Sequence, residues 1–328
     1  MKCVQVPLKD AEEARKDLLR KKAMDLSHSV CSDSSFVYFP VLRSVKGYTL
    51  VERDFDSRYE LSLESLLKKE LGEELFSFLP HAYDIIGSIL ILDLDGRLVS
   101  FEKKIADAFL SLHKHITTVV KKSGERAGEY RLQEYVYLSG KHSFETEHKE
   151  SGLRFRLDIR TTYFSPRLST ERLRIASFVK NGEKILVLLS GVAPFPLVLS
   201  KHSLAKEIVC VELNPDACKY AEENIQLNKI KNVVSFCDDA HRFLHSYQGS
   251  FDRVLLPAPS LAFSFLEDIK NVLHKESVVH YYDFSTQEGI KDILKKITVV
   301  FPSAKILGST FCGQYRPYTY RICVDFQV

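Results

Sequence analysis

The stretch Glu207–Lys229 constrains the fold more than any other part of this chain. Its β-branched run at residues 208–211 predicts a short buried strand, which ends in the acid Glu212. Asn214 and Pro215 then predict a helix start, because asparagine caps a first turn and proline tolerates the missing N–H there. In α/β units, an acid at the carboxyl end of the second strand accepts the hydroxyl groups of a ribose. The stretch therefore predicts a site for an adenosine-containing cofactor.

Strands and helices alternate from Ser165 to the end of the chain, which is typical of a doubly wound α/β sheet. The last predicted strand alternates polar and apolar residues, so we expect an antiparallel edge on an otherwise parallel sheet. The predicted strands are Ile185–Leu189, Ile208–Glu212, Val233–Phe236, Arg253–Leu256, Val278–Tyr282, Ala304–Leu307 and Thr319–Phe326.

Two smaller α+β units are predicted upstream of this sheet. The first has a charged amphipathic helix at the amino terminus and strands at residues 36–42 and 48–51, followed by a helix over Leu61–Phe78. The second has a strand at residues 89–92, a helix over Lys103–Val120 and an alternating strand at residues 155–159.

Composition indicates a cytoplasmic protein without a membrane partner. The formal net charge of +3 over 328 residues creates no strong field for polyanions, so any nucleic-acid site has to be local. No apolar run reaches the ~18 residues of a membrane span, and the charged amino terminus is unlike a signal peptide. The seven cysteines form no CxxC pair, which favours buried thiols over disulfides or zinc and predicts no metal site.

Candidate cofactor contacts follow successive predicted strands, where ligands bind in open α/β sheets. A glycine turn follows the first strand, Glu212 ends the second, and Asp239 follows the third. An alternative remains open for each position. Glu212 is then a solvated turn residue, Asp239 caps a helix that starts at Ala240, and Pro257 only shapes a loop. Capping is the stronger alternative for Asp238 than for Asp239. The predicted cofactor-binding residues are Ser190, Gly191, Val192, Pro194, Phe195, Glu212, Leu213, Asp239, Ala240 and Pro257.

A second segment, Tyr163–Arg172, precedes the first strand of this sheet. Ser165 and Pro166 predict a helix start, which places Arg167 and Glu171 one turn apart on one face. A surface salt bridge is the simplest interpretation of that pair. Because the helix leads directly into the first strand, however, this face can look toward the cofactor cleft.

The chain resembles the archaeal and eukaryotic tRNA (guanine-37-N1)-methyltransferases over nearly its whole length. The resemblance rests on the motifs at residues 83–87, 128–131, 163–172, 191–195, 212–215 and 279–282, of which YFSPRLSTER is the most specific. It implies a class I, Rossmann-like methyltransferase domain at residues 163–328 that uses S-adenosyl-L-methionine. It also implies a tRNA-contacting domain at residues 1–72 and a middle tRNA-binding domain at residues 73–162, in a monomer that binds the anticodon loop and the tRNA body.

The resemblance also implies residue roles. Glu171 is the expected general base, because the N1 proton of guanine has to be removed as N1 attacks the methyl group. Arg131 is the expected partner of O6, where negative charge develops. Basic residues of the middle segment, such as Arg126, are otherwise interpreted as a solvated face. The predicted substrate-binding residues are Arg131, Tyr163, Arg167, Arg172, Pro259 and Arg316.

Three positions depart from the family pattern. Val187 replaces the usual acid of the first strand, Ala193 replaces a loop glycine, and Pro257-Ala258-Pro259 replaces Asn-Leu-Pro. The variation at the fourth-strand motif is similar to the archaeal wyosine branch, whose members can also methylate C7 of 4-demethylwyosine (imG-14) at the same position. The alternatives are a class I methyltransferase for another RNA or a protein, and a non-catalytic tRNA-binding homologue.

Overall fold

The computed structural model describes residues 1–55, 62–68 and 70–328. The described chain divides into two compact units, Met1–Glu70 and Leu71–Val328. The predicted helix Leu61–Phe78 begins outside the described residues at Leu61; beyond that point it consists of a short α-helix, α2 (Leu63–Leu67), and a separate 3-10 helix, Glu73–Phe78. Gly72 separates the two, since it precedes the 3-10 helix in an extended conformation. The predicted boundary near residue 163 stays a prediction.

The first unit is a small antiparallel sheet with one long helix, α1 (Ala11–Arg20). The sequence predicted this helix and the strands near residues 36–42 and 48–51, but not the strands Lys2–Pro7 and Cys31–Ser32. Val4, Leu18 and Phe39 lie in its core, each at most 2 % exposed. The sheet order is β2-β3-β1-β4, with strands β1 (Lys2–Pro7), β2 (Cys31–Ser32), β3 (Phe36–Pro40) and β4 (Thr49–Glu52).

The second unit contains the remaining strands and helices. Its strands are β5 (Asp84–Ile86), β6 (Ile89–Leu92), β7 (Thr118–Ala127), β8 (Leu132–Gly140), β9 (Glu145–Glu150), β10 (Leu153–Asp158), β11 (Lys184–Leu188), β12 (Glu207–Glu212), β13 (Val233–Cys237), β14 (Phe251–Leu256), β15 (Leu273–Ser285), β16 (Lys305–Arg316) and β17 (Thr319–Gln327). Its α-helices are α3 (Glu102–Leu112), α4 (Ser169–Phe178), α5 (Pro194–His202), α6 (Pro215–Leu227), α7 (Ala240–Ser246) and α8 (Ile290–Val300). Within the described ranges, no helix is both long and apolar enough to cross a bilayer.

A four-stranded sheet, ordered β5-β6-β7-β8, opens this unit. Here the predicted helix Lys103–Val120 is wrong in its second half, because α3 ends at Leu112 and Thr118 already begins β7. The run Ile116-Thr117-Thr118-Val119-Val120 explains the difference, since consecutive β-branched residues favour the extended chain.

The main sheet has seven strands in the order β13-β12-β11-β14-β15-β17-β16. The first five are parallel, while β17 runs antiparallel to β15 and β16 antiparallel to β17. This confirms the predicted Rossmann-like α/β sheet with an antiparallel edge. The carboxyl ends of β11 to β14 therefore meet along one rim, where ligands of such sheets bind.

Both faces of the sheet are buried. Along β11, Ile185 and Val187 pack into one apolar cluster, whereas Leu186 and Leu188 pack into the other. Because side chains alternate along a strand, a strand covered on both faces has a continuous apolar run. Val187 is fully buried in this run.

One expectation about cysteines is wrong. The structure pairs Cys218 of α6 with Cys237 of β13 in a disulfide, with the two Cα atoms 5.6 Å apart. Spacing in the sequence gave no sign of this pair, because a strand end and a helix bring the two residues together across a separation of 19 residues. Cys3, Cys210, Cys312 and Cys323 are free and buried, as predicted for the cysteines in general.

Candidate active site

A cleft of about 330 Å³ lies at the carboxyl ends of β11 to β14. One wall belongs to the loops that follow these strands, and the other to the β7–β8 turn, Tyr163 and the β15–β17 region. The lining residues are Arg126, Glu129, Tyr130, Arg131, Tyr163, Leu189, Gly191, Val211, Glu212, Leu213, Asn214, Ala217, Asp239, Ala240, His241, Pro257, Ala258, Pro259, Ser260, Leu261, Ser264, Phe265, Phe284, Tyr315 and Arg321.

Glu212 is fixed at the end of β12 by the backbone around it. Its carboxylate accepts hydrogen bonds from the N–H of Gly191 at 2.7 Å and from that of Asn214 at 2.9 Å. Asn214 in turn caps α6, since its side-chain oxygen accepts from the N–H of Asp216 at 3.0 Å, as predicted. Burial raises the pKa of Glu212 above its ordinary value of 4.5, although the backbone hydrogen bonds oppose the shift.

The turn after β11 brings Gly191 to the cleft in a left-handed conformation, with a φ of 56°. A Cβ at this position would approach the carbonyl oxygen of Tyr163 to 3.2 Å, so glycine allows the close packing of two backbones. Of the residues predicted around it, Ser190, Val192, Pro194 and Phe195 are buried behind the turn and do not line the cleft. Their side chains form the start of α5 and the core beneath it.

Asp239 both caps a helix and faces the cleft. One of its oxygens accepts from the N–H of Arg242 at 2.9 Å at the start of α7. The capping role that the sequence favoured for Asp238 therefore belongs to Asp239, while Asp238 pairs with the Arg242 guanidinium. The second carboxylate oxygen of Asp239 is left for a ligand. Ala240, the first residue of α7, lines the cleft beside it.

The opposite wall carries arginines and aromatic rings. The guanidinium of Arg126 lies over the ring of Tyr163 at 4.5 Å from its centre, and a terminal nitrogen of Arg321 donates to the Tyr163 hydroxyl at 3.3 Å. Phe284 and Tyr315 stack with their ring centres 4.1 Å apart. This arrangement of cations and ring faces suits an unstacked nucleobase with its phosphates.

Arg131 lies on this wall in the turn between β7 and β8. Its φ of 53° is left-handed, as expected for a residue at a tight strand connection. Pro257 and Pro259 line the cleft in the loop after β14, so both residues predicted there reach it. The proline side chains offer the cleft no hydrogen-bond donor.

The structure places Glu171 outside the lining of the cleft. Its side chain is 5 % exposed and pairs with Arg174 through hydrogen bonds of 2.7 and 2.8 Å. It also accepts from the hydroxyl of Tyr282 at 2.5 Å. A buried carboxylate needs such partners, because an unpaired buried charge is costly.

Arg172, predicted to bind substrate, is not brought to the cleft either. It is 1 % exposed, and its guanidinium forms a two-point ion pair with Glu150 at 2.7 and 2.5 Å. A further hydrogen bond of 3.0 Å reaches the carbonyl oxygen of Ser165. In this structure the Arg172 side chain therefore supports the Tyr163–Arg172 segment from within the core.

The predicted pair of Arg167 and Glu171 is replaced by a different contact. Pro166–Leu168 forms a 3-10 helix before α4, and Ser165 makes no side-chain cap, so the spacing assumed for one continuous α-helix does not hold. Arg167 instead pairs with Asp84 at 2.6 Å and lines a smaller neighbouring cavity. Arg316 lies away from both cavities and pairs with Glu125 at 2.9 Å.

A chain of buried charges extends from Glu171 across the sheet. Arg174 bridges Glu171 to Asp325, Asp325 contacts His280 Nδ1 at 2.6 Å, and His280 Nε2 lies 2.6 Å from Arg253. Because arginine only donates, Nε2 accepts and Nδ1 donates, which makes the imidazole neutral. Burial lowers the pKa of His280 in agreement. His280, Cys323 and Asp325 have metal-like spacing, but two guanidiniums beside them oppose a cation.

The cleft fits an adenosine cofactor in size and chemistry. Its volume lies in the range of small-molecule sites, and Leu213, Leu261 and Phe265 give it apolar surface for a purine ring. Glu212 and Asp239 place carboxylate oxygens along its rim. Gly191, Glu212, Leu213, Asp239, Ala240 and Pro257 are thus brought together at one rim, with Arg131, Tyr163 and Pro259 nearby.

The sequence did not point to Arg321, Phe284 and Tyr315, and it placed Arg126 only within a basic set. Phe284 and Arg321 are direct partners in the pairing of β15 with β17. The signal available in the sequence was weak: arginines and tyrosines concentrated at residues 315–321, in the connection between the last two strands.

Comparison with known proteins agrees with this geometry. Residues 146–304 match the TRM5/TYW2 methyltransferase domain. Residues 63–143 match the TYW2 N-terminal domain, and residues 3–49 match the tRNA methyltransferase 5 N-terminal domain. The three matches follow the order of units expected from the sequence.

Individual relatives extend the match along the whole chain. The tRNA (guanine(37)-N(1))-methyltransferase Trm5b of Pyrococcus abyssi is 34 % identical over 99 % of this chain and 98 % of its own. The crystal structure of that enzyme superposes with a TM-score of 0.78, at 32 % identity over 100 % of this chain and 99 % of the other. The tRNA (guanine(37)-N(1))/4-demethylwyosine(37)-methyltransferase Taw22 of Nanoarchaeum equitans is 40 % identical over 75 % of this chain and 96 % of its own. The chain belongs to the TRM5/TYW2 family of methyltransferases.

Proposed function

We propose that this protein is an S-adenosylmethionine-dependent tRNA methyltransferase that acts on N1 of guanine 37 in the anticodon loop. The observation that carries the proposal is a single cleft with carboxylates on one wall and arginines with aromatic rings on the other. Whole-length similarity to an enzyme named for that reaction supports it.

The carboxylate wall holds the methyl donor. Glu212 accepts from the ribose hydroxyls while the backbone N–H groups of Gly191 and Asn214 keep its carboxylate in place. Asp239 accepts from the adenine amino group with the oxygen that does not cap α7. When bound, the donor supplies an electrophilic methyl group on a sulfonium centre.

The arginine wall holds the methyl acceptor. Guanine 37 has to leave the stacked loop to enter a pocket, and the ring of Tyr163 offers it a stacking surface. Arg131 donates to O6, where negative charge grows as the N1 proton is removed. Such a placed donor stabilises the transition state more than the ground state.

Glu171 is the proposed base for the N1 proton. To act, its carboxylate has to leave the ion pair with Arg174. Asp325 would keep Arg174 neutralised, because it contacts the same guanidinium at 2.6 Å. Cys312, whose raised pKa reflects burial first and Glu171 next, lies close to Glu171 and lines the smaller cavity.

Nucleoside analysis tests the function. Transfer RNA with guanine at position 37 is incubated with the protein and S-adenosylmethionine, and position 37 is examined by mass spectrometry. We expect 1-methylguanosine there. Replacing guanine 37 is the control, and methylation that persists in the replaced RNA would contradict the proposal in favour of another RNA target.

A second acceptor, C7 of 4-demethylwyosine, is favoured by one specific observation. The loop after β14 presents Pro257, Ala258 and Pro259 to the cleft, so no carboxamide from this loop contacts the acceptor. The 40 % identical relative named for both acceptors supports the same idea. Product analysis on guanine-37 tRNA and on tRNA carrying the tricyclic intermediate, run in parallel, separates single from dual specificity.

We also propose how the remaining parts contribute. Residues 1–72 contact the tRNA body, residues 73–162 bind near the anticodon, and residues 163–328 carry out methyl transfer. The protein acts as a monomer in the cytoplasm. The first unit has its own apolar core, which supports the proposal that it is a separate tRNA-binding domain.

A further inference from the structure

A second cavity, of about 140 Å³, adjoins the cleft. The two cavities have a common wall, whose residues line both of them: Arg126, Tyr163, Tyr315 and Arg321. The smaller cavity is bounded further by the Tyr163–Arg167 turn and by β16.

The charges in this cavity are unbalanced. Its lining holds four cationic side chains, Lys122, Arg126, Arg167 and Arg321, and one carboxylate, Asp84. Asp84 is already engaged by Arg167 at 2.6 Å and by Lys122 at 3.7 Å. Within residues 1–55, 62–68 and 70–328, no carboxylate lies within ion-pair distance of Arg126 or Arg321.

This distinguishes Arg126 and Arg321 from four neighbouring arginines. Arg167, Arg172, Arg174 and Arg316 each form an ion pair. Arg321 instead has an Nε–H that is buried and, in the described part of the chain, lacks a hydrogen-bond partner. Buried polar groups are usually satisfied, so Arg321 retains hydrogen-bonding capacity that the described residues do not use.

Tyr163 responds to the uncompensated charge. Burial alone would raise the pKa of its hydroxyl, but Arg321 and Arg126 more than offset burial, and the pKa lies below its ordinary value of 10. The two guanidiniums, one over the Tyr163 ring and one at its hydroxyl, therefore give this corner a positive potential. A planar guanidinium fork matches the two free oxygens of a phosphodiester.

We propose that the smaller cavity is a phosphate subsite, in which Arg321, assisted by Arg126, binds the RNA backbone phosphate that adjoins the methyl-accepting nucleotide. The proposal rests on the proposed function, which brings an RNA strand to the shared wall. Arg321 is a positioning residue: it holds the strand so that the base enters the cleft, and it takes no part in bond making.

The test is a double-mutant cycle in which one change is made in the protein and the other in the RNA. Anticodon stem-loop RNA is prepared with a neutral methylphosphonate at the linkage before or after guanine 37. Binding to wild type and to Arg321→Gln is measured by fluorescence in the presence of S-adenosylhomocysteine. Each change alone is expected to weaken binding about tenfold at one of the two linkages, as for a lost charged hydrogen bond.

The combination decides the outcome. If Arg321 binds that phosphate, the neutral linkage should weaken binding to the variant only slightly further. The slope of log affinity against log salt concentration should also be smaller by about 0.7 for the variant. Full additivity, about a hundredfold loss, would overturn the proposal. The proposal would also be overturned if affinity fell when the base next to guanine 37 was removed, and not when the phosphate was neutralised. A base would then occupy the cavity.

Two controls separate loss of the Arg321 contact from a general loss of positive charge, and failure of the subsite from failure of the proposed function. Arg97→Gln removes an exposed arginine that pairs with Asp95 and lines neither cavity, and it should leave binding unchanged. The wild-type arm needs no variant, so unchanged binding of both neutral RNAs overturns the subsite even if Arg321→Gln folds poorly. If wild type methylates guanine 37 but binds both neutral RNAs as tightly as the native RNA, the subsite is overturned and the proposed function stands. Absence of methylation on native tRNA overturns the proposed function.

Discussion

The carboxylate of Glu212 accepts a hydrogen bond from the backbone N–H of Gly191 at 2.7 Å, which ties the ends of β12 and β11 together. A second hydrogen bond of 2.9 Å comes from the N–H of Asn214. The side chain that is proposed to hold the ribose is thus positioned before any ligand arrives. Such preorganisation reduces the entropy lost on binding.

The titration of Glu212 gives a prediction about pH. Because burial raises its pKa, Glu212 takes up a proton at a higher pH than an ordinary glutamate. The protonated form accepts hydrogen bonds poorly, so affinity for S-adenosylhomocysteine should fall as the pH is lowered through that raised pKa, with a midpoint above 4.5. Calorimetric titration between neutral and acidic pH measures this.

Glu212→Gln provides the comparison for that experiment. The amide keeps the size of the side chain and lacks the charge, so we expect roughly ten- to hundredfold weaker binding at neutral pH. The pH dependence above 4.5 should disappear in the variant. An identical pH profile in both proteins would assign the titration to a different group.

Asp239 allows capping to be separated from cofactor binding. Asp239→Ser retains a short side chain that can cap α7, but it does not extend as far into the cleft. We expect about tenfold weaker S-adenosylhomocysteine binding with little change in melting temperature. Asp239→Ala should lose both functions, with a further cost of about 1 kcal/mol and a melting temperature lower by roughly 2–4 °C. Equal affinity of the serine variant and wild type would contradict an adenine contact.

Glu171→Gln tests the proposed base. Single-turnover methylation of guanine 37 should fall by roughly 10²–10⁴-fold, the range for loss of a general base, with little change in tRNA affinity. The variant also breaks a buried ion pair with Arg174, which is destabilising. The rate is therefore measured at a temperature at which the variant is fully folded by circular dichroism.

Glu183→Gln is the matched control for this variant. Glu183 forms a comparable buried pair with Arg253, through hydrogen bonds of 2.7 and 2.9 Å, at the other end of the buried chain of charges. It should lower stability by a similar amount and leave the single-turnover rate near that of wild type. If both variants slow methylation equally, or Glu171→Gln does not slow it, Glu171 is structural in this protein.

Removal of residues 1–70 tests the first unit. The unit has its own core of Val4, Leu18 and Phe39, so its loss leaves the core of the second unit intact. We expect the truncated protein to bind S-adenosylhomocysteine as before and full-length tRNA more weakly. An anticodon stem-loop should bind both proteins equally, because it lacks the tRNA body. Unchanged affinity for full-length tRNA would show that the unit has another role.

Local patterns predicted ten cofactor-binding residues, of which six line the cleft and four are buried behind the turn after β11. Glu212 was identified from its own neighbours, because a β-branched run, an acid and a capped helix are all encoded within a few residues. The parallel sheet with an antiparallel edge followed from the same kind of pattern. Asp239 was also found, although its capping role was assigned to the wrong one of two adjacent aspartates.

The acceptor wall depended on long-range contacts that no local pattern contains. Arg321 reaches the cleft because β17 pairs with β15, which sets it opposite Phe284. Arg172 is buried because Glu150 meets it from β9, and a mutual ion pair makes a charged residue stable in the core. Helical spacing alone predicted an exposed Arg167–Glu171 pair, but a 3-10 turn at Pro166–Leu168 changed the register.

The two walls of the cleft come from different parts of the chain. The donor wall is built from loops within residues 189–265, whereas Arg126, Arg131 and Tyr163 precede that region and Phe284, Tyr315 and Arg321 follow it. Apart from the Pro257–Pro259 loop, which the proposal relates to both ligands, the residues proposed to recognise the acceptor therefore lie in segments that carry none of the proposed donor contacts. In evolutionary terms, one inherited donor half can be combined with successive acceptor halves, which offers a route to new tRNA modifications on an unchanged scaffold.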